Sequence, residues 1–323
     1  MSATLRCGFA AILDPARSIH SETVLRALQI FRELQSGLNM EFVICEDYGS
    51  YEGGSHAADY LVSRGVDVVV GHYASNSALG AASFYAEHGV PLLLPSATDV
   101  SLTIDQSNVF RLCPHNQDIV EALLGLCHEG REYDLQVYTD DSLYAQNLAG
   151  LLRTTLAARG LPEDVGQAAS QILFIGTGSR SEQFLTACQE RQVRDDFILT
   201  DDAACAQLRL PDEFIAGRVR GVGFAPPSLV NPGSPYVAEY QRRYGQSPGV
   251  FFLETLAALE IAAVMQPGEI PAGEQLSRQT FDTCLGPLRF DHGEQSRANL
   301  CLWLSDAGQR MQPVELIRTF REQ

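Results

Sequence analysis

Residues 66–98 read VDVVVGHYASNSALGAASFYAEHGVPLLLPSAT, and this stretch decides the fold class. It begins as a continuous apolar strand, becomes a helical segment that ends near Gly89, and returns as a second apolar strand. Continuous apolar strands are typical of parallel sheets that are covered on both faces. A strand, a helix and a second parallel strand form the repeating unit of a doubly wound α/β sheet.

The same alternation extends in both directions. Before this stretch, LRCGFAAILD and MEFVICED are predicted strands, and SETVLRALQIFRELQ between them is a predicted helix. Further along, LQVYTDD, QILFIGTG, DFILTDDA and VRGVGFAPPS form a second series of strands that alternate with helices. Two series predict two Rossmann-like lobes, joined by three crossings of the chain that serve as a hinge. The predicted lobes are residues 1–114 with 245–286, and residues 115–244 with 287–323.

The C-terminal tail has a different pattern. CLGPLRFDHGEQSRANLCLWLSDAG reads as two strands separated by a turn at His292-Gly293. This predicts an antiparallel addition to one of the sheets.

Composition and charge exclude several classes of function. The 323 residues carry a net charge of −17, which repels phosphate backbones and anionic lipids, so we expect no nucleic-acid partner. No apolar run reaches the ~18 residues that a spanning helix needs, so no membrane insertion is expected. All 23 basic residues are arginine, which excludes a Schiff-base lysine, a pyridoxal-phosphate anchor and a Walker-A lysine.

The eight cysteines indicate neither a metal site nor a cofactor. None forms a C-x-x-C pair or lies near a histidine at zinc-ligand spacing, and scattered thiols favour a reducing compartment. Residues 1–6 are too few for a signal peptide, and the first strand starts almost at once. The sequence as it stands therefore predicts a cytoplasmic protein, or a periplasmic one if a signal segment has been removed.

The segment GVDVVVGHYASNSALGAASFYAEHGVPLLLPSATDVSLT, followed by VFRLCP, resembles the leucine/isoleucine/valine-binding protein family. These are the type I periplasmic binding proteins that supply amino acids to ABC transporters. The late segments GPLRFD and LWLSDAG agree with the resemblance. It implies a binding protein and not an enzyme, whose lobes close on an amino-acid-like ligand in the cleft between them. A membrane permease is then the implied protein partner.

The resemblance also implies contacts of the first lobe with the ligand. Ser75 matches a serine that binds the ligand carboxylate, and Thr98 matches a threonine that supplies a second hydroxyl. Ser96 and Ala97 match residues that offer backbone groups. Tyr73 stands where smaller aliphatic residues are frequent, and its ring could fill that space. This chemistry suits a zwitterion, whose carboxylate needs neutral donors and the positive end of a helix.

The second lobe is expected to bind the ammonium group. Asp201 matches an acid that pairs with this group, and Asp202 is the alternative. Tyr144 matches a tyrosine on the cleft face. The chain departs from the family at the first loop, DPARSIH, and at residues 177–179, where an aromatic wall is common. The ligand therefore need not be a branched-chain amino acid.

Each of these assignments has a structural alternative. Ser75 and Thr98 could cap the helices that follow them, and Asp201 could be a solvated loop acid. Tyr144 could be an ordinary aromatic on a helix face, and His72 a structural histidine at a strand end.

Two other functions remain open. One is a cytoplasmic ligand sensor, since relatives such as amide-responsive regulators use lobe closure to signal to a protein partner. The other is an enzyme recruited from the fold, for which Ser75 with His72 is the candidate pair, although the sequence shows nothing that orients the histidine.

Overall fold

The computed structural model describes residues 4–127, 135–160, 171–211, 218–265, 272–295, 297–307 and 309–320. The chain divides into two compact units. The first unit comprises Met1–His115, Pro227–Ala298 and Phe320–Gln323, and the second comprises Asn116–Pro226 and Asn299–Thr319.

Helices and strands alternate along most of the described chain. The elements up to residue 127 are β1 (Leu5–Ala11), α1 (Ser21–Leu34), β2 (Met40–Glu46), α2 (Tyr51–Ser63), β3 (Val68–Gly71), α3 (Ser75–Glu87), β4 (Leu92–Leu94), a 3₁₀ helix (Val100–Leu102), β5 (Val109–Arg111) and α4 (Asn116–Cys127). Those from residue 135 to 224 are β6 (Leu135–Thr139), α5 (Leu143–Ala158), β7 (Gln171–Ile175), α6 (Gly178–Glu190), β8 (Asp196–Leu199) and β9 (Val219–Phe224). The remainder are α7 (Pro227–Val230), α8 (Pro235–Tyr244), α9 (Phe252–Val264), α10 (Ala272–Arg278), β10 (Thr280–Thr283), β11 (Gly286–Asp291), β12 (Glu294–Gln295), β13 (Arg297–Ser305) and β14 (Met311–Phe320).

The first unit is built on a sheet with the strand order β10-β11-β12-β5-β4-β3-β1-β2. Strands β1 to β5 are parallel, and Cys7 of β1 lies opposite Phe42 of β2 and Val68 of β3. One face packs against α1, α8 and α9 through residues such as Phe31 and Leu256. The other face packs against α2 and α3. Helices on both faces explain why these strands read as continuous apolar runs.

The second unit contains a sheet with the order β14-β13-β9-β8-β7-β6. Strands β6 to β9 are parallel, and β13 pairs with β9 in the antiparallel direction. Leu148 of α5 and Leu173 of β7 belong to one buried cluster that also includes residues of α4. Both units therefore have the predicted α/β architecture with largely parallel sheets, as expected from the strand–helix alternation.

Two predicted lobe boundaries, at residues 245 and 286, differ from the structure. Helix α8 belongs to the first unit because it packs on α1, where Arg26 Nη1 donates a 3.0 Å hydrogen bond to the Tyr240 hydroxyl. Arg243 of the same helix forms a 2.6 Å ion pair with Glu33. Residues 287–298 also belong to the first unit, since β11 and β12 extend its sheet beside β5. The three-crossing hinge stays a prediction.

The predicted turn at His292-Gly293 is confirmed. Both residues have positive φ angles, 46° and 77°, and the turn joins β11 to β12 in an antiparallel hairpin. A Cβ atom at Gly293 would lie 2.3 Å from the carbonyl oxygen of Val109, so glycine is required there. Within the described ranges, no helix combines the length and the apolar character that crossing a membrane requires.

Candidate functional site

In the first unit, the predicted carboxylate-binding residues lie just beyond the carboxyl ends of β3 and β4. Ligands of doubly wound sheets bind at this edge. Helix α3 starts at Ser75, and the residue before it, Ala74, is extended and provides no side-chain cap. The first N–H groups of a helix have no partner within the helix. At α3 these donors are therefore left without a capping side chain from Ala74.

Ser75 connects the two loops at this edge. Its Oγ accepts a 3.2 Å hydrogen bond from the backbone N–H of Asp99. This leaves the proton of the Ser75 hydroxyl without an acceptor among the described residues. The side chain is therefore held in place and still has a donor to offer.

The loop after β4 is buried and held by hydrogen bonds. Ser96 donates from its Oγ to the carbonyl oxygen of Tyr73 over 2.7 Å. Thr98 is also buried, yet its hydroxyl has no hydrogen-bond partner among the described residues. Ala97 is almost fully buried and can offer only its N–H, because its carbonyl oxygen already accepts a bond from Arg111.

The alternative interpretation, in which Ser75 and Thr98 cap the helices that follow them, is wrong. The N-cap position of α3 is occupied by Ala74, and that of the following 3₁₀ helix by Asp99, whose carboxylate accepts from the Ser101 N–H at 2.9 Å. Neither Ser75 nor Thr98 therefore uses its side chain to cap a helix.

Tyr73 points away from this cluster of donors. Its ring packs against the core of the first unit, 6.0 Å from the ring of Phe9, and its hydroxyl lies 2.8 Å from Thr255 Oγ1. Burial raises the pKa of this phenol well above its usual value. The side chain thus serves packing between β3 and α9, and its role as a ligand contact stays a prediction.

Arg111 is a residue of this site that sequence reasoning missed. It is fully buried, and its guanidinium donates to the carbonyl oxygens of Ala97 at 2.6 Å and Asp99 at 2.7 Å. Its Nε donates to Glu294 at 2.9 Å. Arg111 therefore fixes both ends of the segment that carries Thr98. The available signal was an arginine inside the apolar run VFRLC, since an unpaired arginine is not tolerated there.

In the second unit, Asp201 is a buried acid without a counter-ion. It is 6% exposed, and it forms no ion pair with any described residue. The Tyr144 hydroxyl donates a 2.5 Å hydrogen bond to Asp201 Oδ1 and lies 2.9 Å from Thr200 Oγ1. Burial raises the pKa of Asp201 to about 7 against the opposing effect of the Tyr144 bond, and the neighbouring charge of Asp202 adds to the rise. The interpretation as a solvated loop acid is therefore wrong.

Asp202 has a different task. Its Oδ2 accepts a 2.7 Å hydrogen bond from the backbone N–H of Gly178, the first residue of α6. Thr177 just before it is bound by Asp140, through a 2.8 Å bond from the Thr177 N–H. Asp202 and Asp140 thus satisfy the start of α6, which makes Asp202 the weaker candidate for an ammonium partner.

The structure does not join Ser75 and His72 into a catalytic pair. Both ring nitrogens of His72 are engaged elsewhere, Nδ1 by Asp47 at 2.7 Å and Nε2 by the Tyr85 hydroxyl at 3.2 Å. Asp47 orients the histidine, contrary to the sequence-based expectation that nothing does. The described residues contain no group of three His, Cys, Asp or Glu side chains suited to a metal ion.

Comparison with known proteins identifies related sequences. A family model for periplasmic binding proteins matches residues 31–172. The Leu/Ile/Val-binding protein homolog 2 of Brucella abortus is 24% identical over 328 residues, which cover 90% of this chain and 86% of that protein. The Leu/Ile/Val-binding protein BraC3 of Rhizobium johnstonii is 30% identical over 127 residues, which cover 39% of this chain and 35% of BraC3.

Solved structures share the whole fold. The leucine binding protein LivK of Thermotoga maritima superposes with a TM-score of 0.84 at 15% identity and covers 97% of this chain and 98% of its own. LivJ of Streptococcus pneumoniae, in complex with isoleucine, has a TM-score of 0.79 at 16% identity, with 98% and 100% coverage. A solute binding protein of R. palustris in complex with benzoate has a TM-score of 0.78 at 16% identity, with 99% and 98% coverage. Each of these proteins is named as a binding protein, and at identities below 25% the likeness shows that this chain shares their fold.

Proposed function

We propose that this chain is a type I periplasmic binding protein, like the leucine/isoleucine/valine-binding proteins that it resembles, and that it captures an amino-acid-like small molecule. The ligand carboxylate binds at the start of α3, and lobe closure brings the ammonium group to Asp201. Delivery to the permease of an ABC-type uptake system is the corresponding role in the cell.

The observation that carries this proposal is the set of unused donors at one edge of the first sheet. Ser75 offers a hydroxyl proton, and the buried Thr98 offers a hydroxyl that no described residue binds. Helix α3 offers N–H groups that no described side chain caps. A carboxylate accepts several such bonds at once, and a helix N-terminus favours its charge. Neutral donors held by backbone and buried side chains are already in position before the ligand arrives.

Asp201 supports the zwitterion over a simple acid. A buried carboxyl that lacks a cation is costly, and a ligand ammonium would supply the missing charge. The neighbouring Tyr144 hydroxyl holds one carboxylate oxygen, so the other remains for the ligand. A ligand without an ammonium, such as the benzoate held by the R. palustris protein, would leave Asp201 uncompensated.

The test is a calorimetric binding panel on the purified protein, with L-amino acids, their primary amides and simple carboxylates such as benzoate. We expect binding of at least one L-α-amino acid and weaker binding of the acid that lacks its ammonium. Ser75→Ala and Asp201→Asn should both weaken binding, while Arg153→Ala, on the exposed face of α5, serves as a matched control. A protein that binds a simple carboxylate equally well, with or without Asp201, would contradict the ammonium role.

A second role, a ligand sensor in a reducing compartment, is favoured by the thiols. The seven cysteines for which the structure describes side chains are free. Extracytoplasmic proteins experience oxidising conditions, in which free thiols are less common. Fractionation of the native host separates the two roles: recovery with periplasmic marker proteins supports uptake, and recovery with cytosolic markers supports a sensor.

A further inference from the structure

The loops that follow β1, β2, β3 and β4 contain a single arginine, Arg17. The acids of the same loops are engaged locally, since each accepts a 2.9 Å hydrogen bond from the backbone N–H two residues further along; they are Asp14, Asp47 and Asp99. The guanidinium of Arg17, by contrast, forms no hydrogen bond and no ion pair with any described residue. Arginine is always protonated in proteins, so Arg17 presents a permanent positive charge at this edge of the first sheet.

The side chain of Arg17 lies over the ring of Tyr48, with 5.1 Å between the guanidinium carbon and the ring centroid. Cation–π contacts extend to about 6 Å, so the ring holds the guanidinium in place. Tyr48 is 54% exposed, so burial does not account for a tyrosine at this position. Its φ angle is 55°, in the left-handed region that residues other than glycine and asparagine rarely adopt. An exposed ring is therefore kept here in spite of an unfavourable backbone conformation.

The carboxylate of Glu46 fixes this conformation. Its Oε1 accepts a 2.8 Å hydrogen bond from the N–H of Tyr48, and its Oε2 accepts one of the same length from the N–H of Leu13. One carboxylate thus joins the loop after β1, which carries Arg17, to the loop after β2, which carries Tyr48. A strained residue that the surrounding bonds hold in place indicates a functional constraint.

These two loops contact the loop that leads to Ser75. A Cβ atom at Gly49, in the loop after β2, would lie 2.7 Å from Cδ1 of Ile12 and 3.5 Å from Cβ of Ala74. The loops after β1, β2 and β3 therefore meet at Gly49, and Ser75 follows Ala74 directly. Arg17 and Ser75 thus belong to neighbouring loops of the edge at which doubly wound sheets bind their ligands.

We propose that Arg17, held against the ring of Tyr48, is a specificity-determining residue that binds a carboxylate on the side chain of the ligand. A guanidinium pairs with a carboxylate through two parallel N–H···O bonds, and Arg17 has these donors unused among the described residues. The chain as a whole carries a net charge of −17, so a ligand with a second carboxylate needs such a local cation. The inference rests on the proposed function and narrows its ligand to the acidic amino acids, with the α-carboxylate at Ser75.

The test compares L-glutamate with L-glutamine, which differ only in the carboxylate or amide at the end of the side chain. The readout is the ratio of the glutamine dissociation constant to the glutamate dissociation constant, measured by titration calorimetry at neutral pH. We expect a wild-type ratio of about ten or more, because charge-assisted hydrogen bonds are stronger than neutral ones. Arg17→Met removes the cation from an exposed position, so the ratio should fall about tenfold.

Arg64→Met is the matched control, because Arg64 also lies over an exposed tyrosine ring of the first unit, that of Tyr60 at 4.9 Å. Arg64 follows the last residue of α2, whereas the loop of Tyr48 precedes the first. The control removes the same charge from the protein, and we expect it to leave the ratio unchanged. An equal fall in Arg17→Met and Arg64→Met would overturn the proposal, because the ratio would then reflect only the overall charge.

A second variant, Tyr48→Gly, tests the role of the ring. Glycine adopts a positive φ angle without strain, so this variant should unfold at no lower temperature than the wild type. The ratio should nevertheless fall about threefold, because the guanidinium loses the contact that holds it. An unchanged ratio would overturn the holding role of Tyr48.

The outcomes separate this inference from the proposed function. A wild-type protein that binds no amino acid would contradict the proposed function, and this inference with it. A wild-type protein that binds amino acids with uncharged side chains at least as tightly as glutamate would contradict this inference alone. An equal loss of affinity for glutamate and glutamine in Arg17→Met would also overturn it, because the guanidinium would then act on a group that both ligands share.

Discussion

The two units present their polar groups in opposite electrostatic states. In the first unit, Ser75 and Thr98 are neutral donors, and the buried carboxylate of Asp47 is hydrogen-bonded to His72. In the second unit, Asp201 is buried with no cationic side chain beside it among the described residues, and its pKa is raised to about 7. Burial of Asp201 is costly, and under the proposed function the ammonium group of the ligand offsets that cost.

The comparison between the two units depends first on how strongly Arg111 stabilises the loop after β4 in the first unit. Arg111→Met removes the guanidinium that binds the carbonyl oxygens of Ala97 and Asp99, and it leaves Glu294 without this partner. Breaking a buried ion pair on one side costs about 4 kcal/mol, so we expect a loss of this size in the free energy of unfolding. Urea denaturation measures it.

The double variant Arg111→Met/Glu294→Gln is the control for the lost pair. It should recover part of the loss, because the negative charge that faces Arg111 in the wild type is removed together with the positive one. A single variant that loses less than about 1 kcal/mol would show that the loop after β4 does not need this support.

The penalty at Asp201 should appear as a dependence of stability on pH. The pKa of Asp201 is about 7 in the folded protein and close to its model value of 3.8 in the unfolded chain. Between these values the folded state binds more protons, so stability falls as the pH rises. Asp201→Asn lacks this effect, and its stability relative to the wild type should therefore increase by roughly 3 kcal/mol between about pH 4 and pH 7.5.

Chemical denaturation at several pH values measures this difference. Glu254→Gln is the matched control, because Glu254 is also buried and burial also raises its pKa to about 7. Relative to the wild type, the free energy of unfolding of both variants should increase with rising pH. If the difference between Asp201→Asn and the wild type does not change with pH, this acid is solvated or already paired.

The same two variants should diverge in ligand binding. If Asp201 pairs with the ammonium group, Asp201→Asn should weaken binding of an α-amino acid by about 50-fold, since charged hydrogen bonds of this kind contribute roughly 2 to 3 kcal/mol. Glu254→Gln should change the affinity by less than about twofold, because its side chain lies in the first turn of α9 and not among the proposed ligand contacts. Titration calorimetry at a pH above 8 separates the two. Equal losses would refute the assignment of the ammonium to Asp201.

The strands and the loops at their carboxyl ends could be predicted from the sequence because their signals are local. Apolar runs mark β3 and β4, and the residues that follow them include Ser75 and Thr98. Arg111 has partners at both short and long range, 12 to 14 residues away in Asp99 and Ala97 and 183 residues away in Glu294. No local periodicity indicates such contacts.

The pairing of Asp47 with His72 was missed for a related reason. The two residues end neighbouring segments of chain but lie 25 positions apart, and their contact depends on the order of strands in the sheet. The assignment of α8 to the second lobe failed in the same way, because its contacts with α1 are made over some 200 residues. The amphipathic pattern of a helix predicts that it packs, but not against which partner.

The smallest expected effects on ligand affinity are those of removing the hydroxyls of Ser75 and Thr98 in the first unit. Ser75→Ala and Thr98→Val each remove one neutral donor, so each should weaken binding of the ligand about five- to tenfold, near 1 kcal/mol. If both hydroxyls hold the same carboxylate, the double variant should depart from the sum of the single effects. Unfolding in the absence of ligand should change little for Thr98→Val, because its hydroxyl has no partner to lose in the part of the chain that the structure describes. Additive binding losses would instead indicate that the two hydroxyls contact separate groups of the ligand.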